Sequence, residues 1–166
     1  MNREDQSVVE SAMGVFPSGL FLLTSAFDDK RGGMLVHDVQ RCGTDPAMIC
    51  VAARKGHTID PLIRDSRAFA LGVLSEENRL IRRRFERCDT PPREHPASGD
   101  EDPFDAIATR TLVTGSPIIE RCTMWFDCEV ARRVDLEAEM ELFVGVIVGV
   151  LWDGKVAKVA RQSDTV

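Results

Sequence analysis

Residues Gly33 to Leu62 read GMLVHDVQRCGTDPAMICVAARKGHTIDPL, and the order of apolar runs and breakers in this stretch decides the kind of fold the chain adopts. Met34 to Cys42 mixes Leu35, Val36 and Val39 with His37, Asp38, Gln40 and Arg41, which predicts one strand whose second face is not simply core. Thr44-Asp45-Pro46 breaks it. Ala47 to Ala53 (AMICVAA) is a compact apolar run that predicts a buried strand ending at Arg54-Lys55-Gly56. A short helix is expected next, with Asp60 ahead of Pro61 or else Thr58 as its N-cap, and with Leu62 and Ile63 on its buried side.

The flanks extend the same strand-rich pattern. Leu20 to Phe27 (LFLLTSAF) predicts a strand, and the DDKRGG that follows reads as a hairpin turn with glycines available for positive φ. Ahead of it, Val8, Val9, Ala12, Met13 and Phe16 have the spacing of a short amphipathic helix over Glu4 to Val15, closed by Pro17-Ser18-Gly19. Phe69 to Leu74 predicts another strand. Ser75 to Asn78 opens a helix striped by Leu80, Ile81 and Phe85, with Arg82, Arg83 and Arg84 on its solvated face. Cys88 to Asp105, rich in proline and without periodicity, is expected to be an irregular excursion.

Cys122 to Val130 alternates, which predicts a strand with Cys122, Met124, Phe126, Cys128 and Val130 on one face and Thr123, Trp125, Asp127 and Glu129 on the other. Leu142 to Trp152 is apolar on both faces and contains Gly145 and Gly149, as in a long barrel strand that bends or one covered by a partner subunit. Val156 to Ala160 would pair with it after Asp153-Gly154. About seven strands, a few short helices and no βαβ alternation predict one mainly β (α+β), barrel-like domain over residues 1–166.

Composition narrows the function classes. With 166 residues, 43% apolar, 29% charged and a net charge of −6, the chain has the balance of an ordinary globular domain and lacks the basic surface that nucleic-acid binding needs. No apolar run approaches the roughly 20 residues of a spanning helix, and the polar start does not resemble a signal peptide, so a cytoplasmic location with no membrane contact is expected. Five cysteines without metal spacing suggest reduced thiols, mostly in the core. His37, His57 and His95 are too far apart to form a local metal motif, and no metal is expected. The glycine fingerprints of nucleotide folds, HExxH and GxSxG are all absent.

What remains is specific. Gly33, Met34, Val39, Pro46, Lys55, Gly56 and Thr58 stand without a gap at the spacing of G-M-T-x-S-W-V-T-Q-V-S-x-x-P-P-L followed by an apolar strand and a basic-Gly-Ser-Thr loop. The stretch resembles the flavin reductase-like family, the FMN-binding split barrels. FPSGLFLLTS from Phe16 is similar to that family's P-S-G-V-x-V-V-T, FALGVLSEEN from Phe69 to its F-A-V-N-V-L-S-x-x-Q, TGSPIIERCTMWFDCEV from Thr114 to its G-x-P-x-L block ending in E-C-x-V, and LFVGVIVGV from Leu142 to its L-F-V-G-E-V. Residues 8 to 152 are covered.

The resemblance implies a split β-barrel with a few short helices, paired as a homodimer, with FMN in a groove near the subunit interface and NADH or NADPH as a co-substrate. It implies that His37, Asp38, Val39, Gln40, Arg41 and Cys42 line the ring, and that Arg54, Lys55, Gly56, His57 and Thr58 hold the phosphate. The chemistry of these residues agrees, since cations, a backbone with room to approach and a hydroxyl at a helix N-terminus suit an anion. Ser18 and Met140 fall on the nicotinamide side.

Several positions depart from the pattern. Asp38 replaces a tryptophan or serine and Arg41 a glutamine, and Arg41 or His37 is expected to pair with Asp38. Gly72 stands at an asparagine, and Met140 at the histidine of G-D-H-x-L-F-x-G. Methionine can neither donate a hydrogen bond nor carry a proton. Three activities are therefore open: a NAD(P)H-dependent flavin reductase, an FMN-binding electron carrier serving a redox partner protein, and a split-barrel dimer that is structural or binds haem. The excursion at Cys88 to Asp105 is expected to cover the open face of the flavin.

Overall fold

The computed structural model describes residues 3–88 and 102–159. Along them run α1 (Arg3–Met13), β1 (Phe21–Phe27), β2 (Lys30–Val36), β3 (Val39–Thr44), β4 (Ala47–Arg54), α2 (Ile59–Ser66), β5 (Ala68–Val73), α3 (Arg79–Cys88), β6 (Thr109–Arg110), β7 (Ile118–Ile119), β8 (Met124–Asp135), β9 (Met140–Trp152) and β10 (Lys155–Lys158). A main sheet of eight antiparallel strands is ordered β2-β1-β5-β8-β9-β4-β3, with β10 also on β9. The architecture is the mainly β split barrel expected. Most of the excursion expected between Cys88 and Asp105 lies outside the described residues, and with it the expectation that it covers a ligand.

Both faces of the curled sheet are covered, and neighbouring residues serve opposite layers. Leu23, Phe69, Leu71, Val51 and Phe143 point into the barrel, where Ile59 and Ile63 of α2 close one end. Leu22, Ala70 and Trp125 point outward into a second apolar layer completed by Ile81 and Phe85 of α3 and by Phe104, Ile118 and Ile119. β8 is buried on both of its alternating faces: Cys128 on one and Trp125 and Asp127 on the other have no exposure. Asp127 accepts hydrogen bonds from the Val113 and Thr114 backbone N–H groups at 2.7 and 2.8 Å. It thereby pins the loop that lies over it.

The expected strand over Met34 to Cys42 is two strands. β2 pairs with β1, the chain turns at His37-Asp38, and β3 pairs with β4 from Val39↔Val51 onward. The DDKRGG segment also differs from expectation. Asp28 and Asp29, at φ 48° and 65°, make the turn themselves, and Gly32 and Gly33 are strand residues. A Cβ on Gly32 would lie 2.8 Å from Leu62 of α2, and one on Gly33 would lie 2.3 Å from the Phe85 ring of α3. Adjacent glycines on opposite faces thus let two helices approach one strand. The helix α2 is capped at Thr58, not Asp60. Leu80, expected in the stripe of α3, is 74% exposed, while Ile81 and Phe85 carry the contact.

β9 bends at a bulge. Asp127 pairs with Gly149 and Cys128 with Ile147, which leaves Val148 as the extra residue and reverses the inward parity along the strand. Cys42, Cys50, Cys122 and Cys128 are free thiols, and Cys122 and Cys128 are buried. Burial pushes the Cys122 thiol up to about 11 and that of Cys128 higher still.

Replacing Gly33 with alanine should destabilise the fold by about 1–3 kcal/mol, the usual cost of forcing extra atoms into a packed core. The urea midpoint should fall with an unchanged slope, and Gly33→Ala/Phe85→Leu should recover part of the loss.

Candidate functional site

The loop after β4 is built to leave donors open. Gly56 takes φ +75° with nothing within 4 Å of where a Cβ would sit. Thr58 occupies the N-cap of α2 in right-handed helical conformation, and its hydroxyl makes no capping bond. The Ile59 N–H instead donates to His57 Nδ1 at 3.2 Å, so that nitrogen serves the helix. The His57 carbonyl accepts from the Asp60 N–H at 3.0 Å. Among the described residues nothing accepts from the Gly56 or Thr58 N–H groups or from the Thr58 hydroxyl, and Arg54, at the start of the loop, is exposed. This is a fit for a phosphate: open backbone donors, a hydroxyl and a cation at the positive end of a helix.

Lys55 plays a different part from the one expected of it. Its ammonium pairs with Asp135 and its N–H donates to the Glu139 carbonyl at 3.0 Å, so it ties the loop to the β8–β9 hairpin. The ion pair holds the Asp135 carboxyl below the usual carboxylate range, helped by the Glu137 N–H at 2.8 Å. Met140 lies opposite Arg54 in the β4–β9 register, so the residue at the family's histidine position borders the loop.

The structure brings part of the second candidate group to the same place. The Asp38 carbonyl accepts from the Ala52 N–H at 3.1 Å, which sets His37, Asp38 and Val39 beside the end of β4. Gln40 follows opposite Cys50, whereas Arg41 pairs with Ile49 and Cys42 falls at a bulge beyond it. These last two run away from the loop. The expected pairing of Asp38 is not found: His37 Nδ1 contacts the Gly19 carbonyl at 2.9 Å, and no ion pair among the described residues includes Asp38. The His37 contact brings the Pro17-Ser18-Gly19 corner alongside, so Ser18 stands near this group.

Sequence reasoning missed a buried polar cluster just behind the loop. Glu141, with no exposure, accepts a hydrogen bond from Arg133 Nε and faces Asp60, which pairs with Arg64 Nε at 3.0 Å. Burial pushes the Glu141 carboxyl above the usual carboxylate range, and Asp60 pushes the same way against the pull of Arg133. The signal was an acidic residue inside an otherwise apolar strand. Gly72, read as a lost polar contact, has a packing cause: a Cβ there would lie 2.6 Å from the Trp125 indole, which donates to the Ile119 carbonyl at 3.2 Å. No helix among the described residues is long and apolar enough to cross a membrane.

The chain matches the flavin reductase like domain over residues 13–160. It is 28% identical to diflavin flavoprotein A 1 of Synechocystis over 152 residues, which are 92% of this chain but 24% of that protein. The diflavin relatives are thus about four times as long as the aligned region. It is 29% identical to a flavin reductase of Pseudomonas putida over 126 residues, 75% of this chain and 68% of the other. Its fold matches nitrilotriacetate monooxygenase component B of Mycobacterium thermoresistibile (TM-score 0.72, 20% identity, 95% and 88% of the two chains). It also matches flavoredoxin of Methanosarcina acetivorans (TM-score 0.67, 17% identity, 89% and 87%).

A carboxyl raised in the folded state binds its proton more tightly there than in the unfolded chain, so its contribution to stability is complete below the unfolded value near 4.3 and is lost as pH rises through the folded one. The stability of Glu141→Gln relative to the native chain should therefore increase with pH across that window. Denaturant titrations from pH 4 upward measure it; a difference that stays flat or falls contradicts the assignment.

Proposed function

Because this chain belongs to the flavin reductase-like family, a family of flavin-binding oxidoreductases, we propose that it binds FMN and passes a hydride to it from NADH or NADPH. The observation that supports the reading most directly is the loop Arg54 to Thr58, whose Gly56 and Thr58 donors and exposed Arg54 lie unclaimed by the fold. Arg54, Gly56 and Thr58 would hold the phosphate, with Lys55 fixing the loop from behind and His57 capping the helix. His37, Asp38, Val39 and Gln40 would line the ring; Arg41 and Cys42 lie farther along β3.

When bound, FMN would supply the hydride acceptor, and the protein would supply orientation and access. Ser18 and Met140 border the approach for the nicotinamide. Met140 offers no proton at any pH, so protonation there is left to solvent. Pairing of two copies would cover the exposed edge strand β3 and complete the groove.

A second reading rests on Met140. With a thioether where the family has an imidazole, the domain suits an electron carrier that hands electrons to another flavoprotein, and its match to a fraction of the diflavin proteins points the same way. Purified protein loaded with FMN and desalted should retain visible flavin absorbance. Anaerobic bleaching by NADH or NADPH supports the reductase, bleaching only by dithionite supports the carrier, and absence of retained flavin contradicts both.

Two variants sharpen this. Arg54→Ala should weaken FMN binding about tenfold, the usual scale for one charge-assisted hydrogen bond, as read by flavin fluorescence titration. Met140→His should add to the turnover profile a titration near pH 6.5 that the native chain lacks.

A further inference from the structure

A cleft of about 310 Å³ lies between α2 and the middle of β8, at the other end of the helix from the loop just described. Its volume is at the lower end for small-molecule sites. Val130 and Ala131, each half-buried, give it an apolar wall, and four arginines line it: Arg64, Arg67, Arg132 and Arg133. Four arginines line one cleft although the chain carries a net charge of −6.

Two of these charges are already answered. Arg64 pairs with Asp60 and Arg133 with Glu141, and those buried acids hold both guanidiniums in place. Arg67 and Arg132 have no acidic partner among the described residues; the one side-chain bond from Arg132 goes to the neighbouring Ala131 carbonyl at 3.1 Å. Like charges in one concavity repel, and an anion between them removes that cost.

Arg67 is held where it stands. It ends α2 at φ 56°, its N–H donates to the Ile63 carbonyl at 2.9 Å, and its carbonyl accepts from the Val130 N–H at 2.8 Å. Glycine is the usual residue in that conformation, and a side chain there is strained. The position therefore keeps an arginine against a backbone penalty. On the other side of Arg67 a second cleft carries Glu129 in its wall, a carboxylate that would repel an anion, so the two clefts differ in kind.

We propose that the cleft lined by Arg64, Arg67, Arg132 and Arg133 binds a phosphate monoester. The planar forks of Arg67 and Arg132 suit phosphate oxygens in pairs, and the Val130–Ala131 wall accepts the organic part of the ester. Along α2, Arg64 and Arg67 stand about 9 and 14 Å beyond Thr58, at 1.5 Å per residue, and the proposal does not depend on how the Arg54 loop is used.

The test is calorimetric titration, at constant ionic strength, of the full chain with inorganic phosphate, 5′-AMP and adenosine. The native chain and Arg54→Ala should bind both phosphates saturably and adenosine not at all. Adding Arg67→Ala/Arg132→Ala to the Arg54→Ala chain should weaken phosphate binding at least tenfold, while the same pair in the native background should retain FMN as the native chain does. AMP tighter than phosphate supports the monoester, and equal affinity overturns it in favour of free phosphate. No saturable binding by Arg54→Ala, or equal binding once Arg67 and Arg132 are also replaced, overturns the proposal. Should the double variant lose its sheet signal, Arg132→Gln at an exposed strand position repeats the comparison.

Discussion

The pairing of β8 with β9 is the constraint on which the other placements depend. These are the two longest strands, and they form the middle of the sheet, with β5 added to one side and β4 to the other. Their inner ends fix which residues face the barrel. Their outer end, from Asp135 to Met140, reaches the loop after β4, where Lys55 binds it through both its side chain and its backbone. The candidate phosphate loop is therefore anchored to the long-range pairing of the sheet as well as to the local turn. An anion site needs this, because donors held apart against mutual repulsion must be held by something other than the ligand.

Close approach supplies the second constraint. A sheet packed on both faces has to admit large rings from two directions, and the chain makes room by omitting side chains. Gly32 and Gly33 admit α2 and α3, Gly72 admits Trp125, and Gly145 admits Phe69, whose ring would lie 2.6 Å from a Cβ there. The departure at Gly72 is thus half of an exchange. An asparagine needs the volume that Trp125 fills, so the chain has traded a polar group in this strand for an indole in the next.

These approaches also mark the limit of what the sequence discloses. The strands, their order and the family blocks were legible because apolar runs and breakers are local, and the resemblance fixed the rest of the topology. The turn at His37-Asp38 was not legible: Leu35, Val36 and Val39 read as a continuous strand, and only pairing with different partners separates β2 from β3. The glycines of DDKRGG looked like turn residues because their true cause, Phe85 and Leu62, lies far along the chain. At the candidate site, the loop Arg54 to Thr58 stood out in sequence for its cations, glycine and hydroxyl. The division of labour within it was not legible, since the partner of Lys55 is Asp135 and the cap of α2 is an imidazole. Glu141, Asp60 and the arginines behind them share no local motif at all.

With a flavin bound as proposed, the charges around the loop would also bear on electron transfer. With Lys55 paired to Asp135, Arg54 remains an exposed cation on the loop, and Asp38 adds a carboxylate with no ion-pair partner among the described residues at the neighbouring corner. A negative charge near a flavin disfavours adding electrons and so makes the reduced form the stronger donor. Asp38 is exposed, and water and salt reduce its influence over a distance of about 8 Å. The effect would thus be a modest bias that leaves phosphate binding to the loop. It would act in the same sense as Met140, which has no proton to give, and both departures would favour passing electrons onward over holding them.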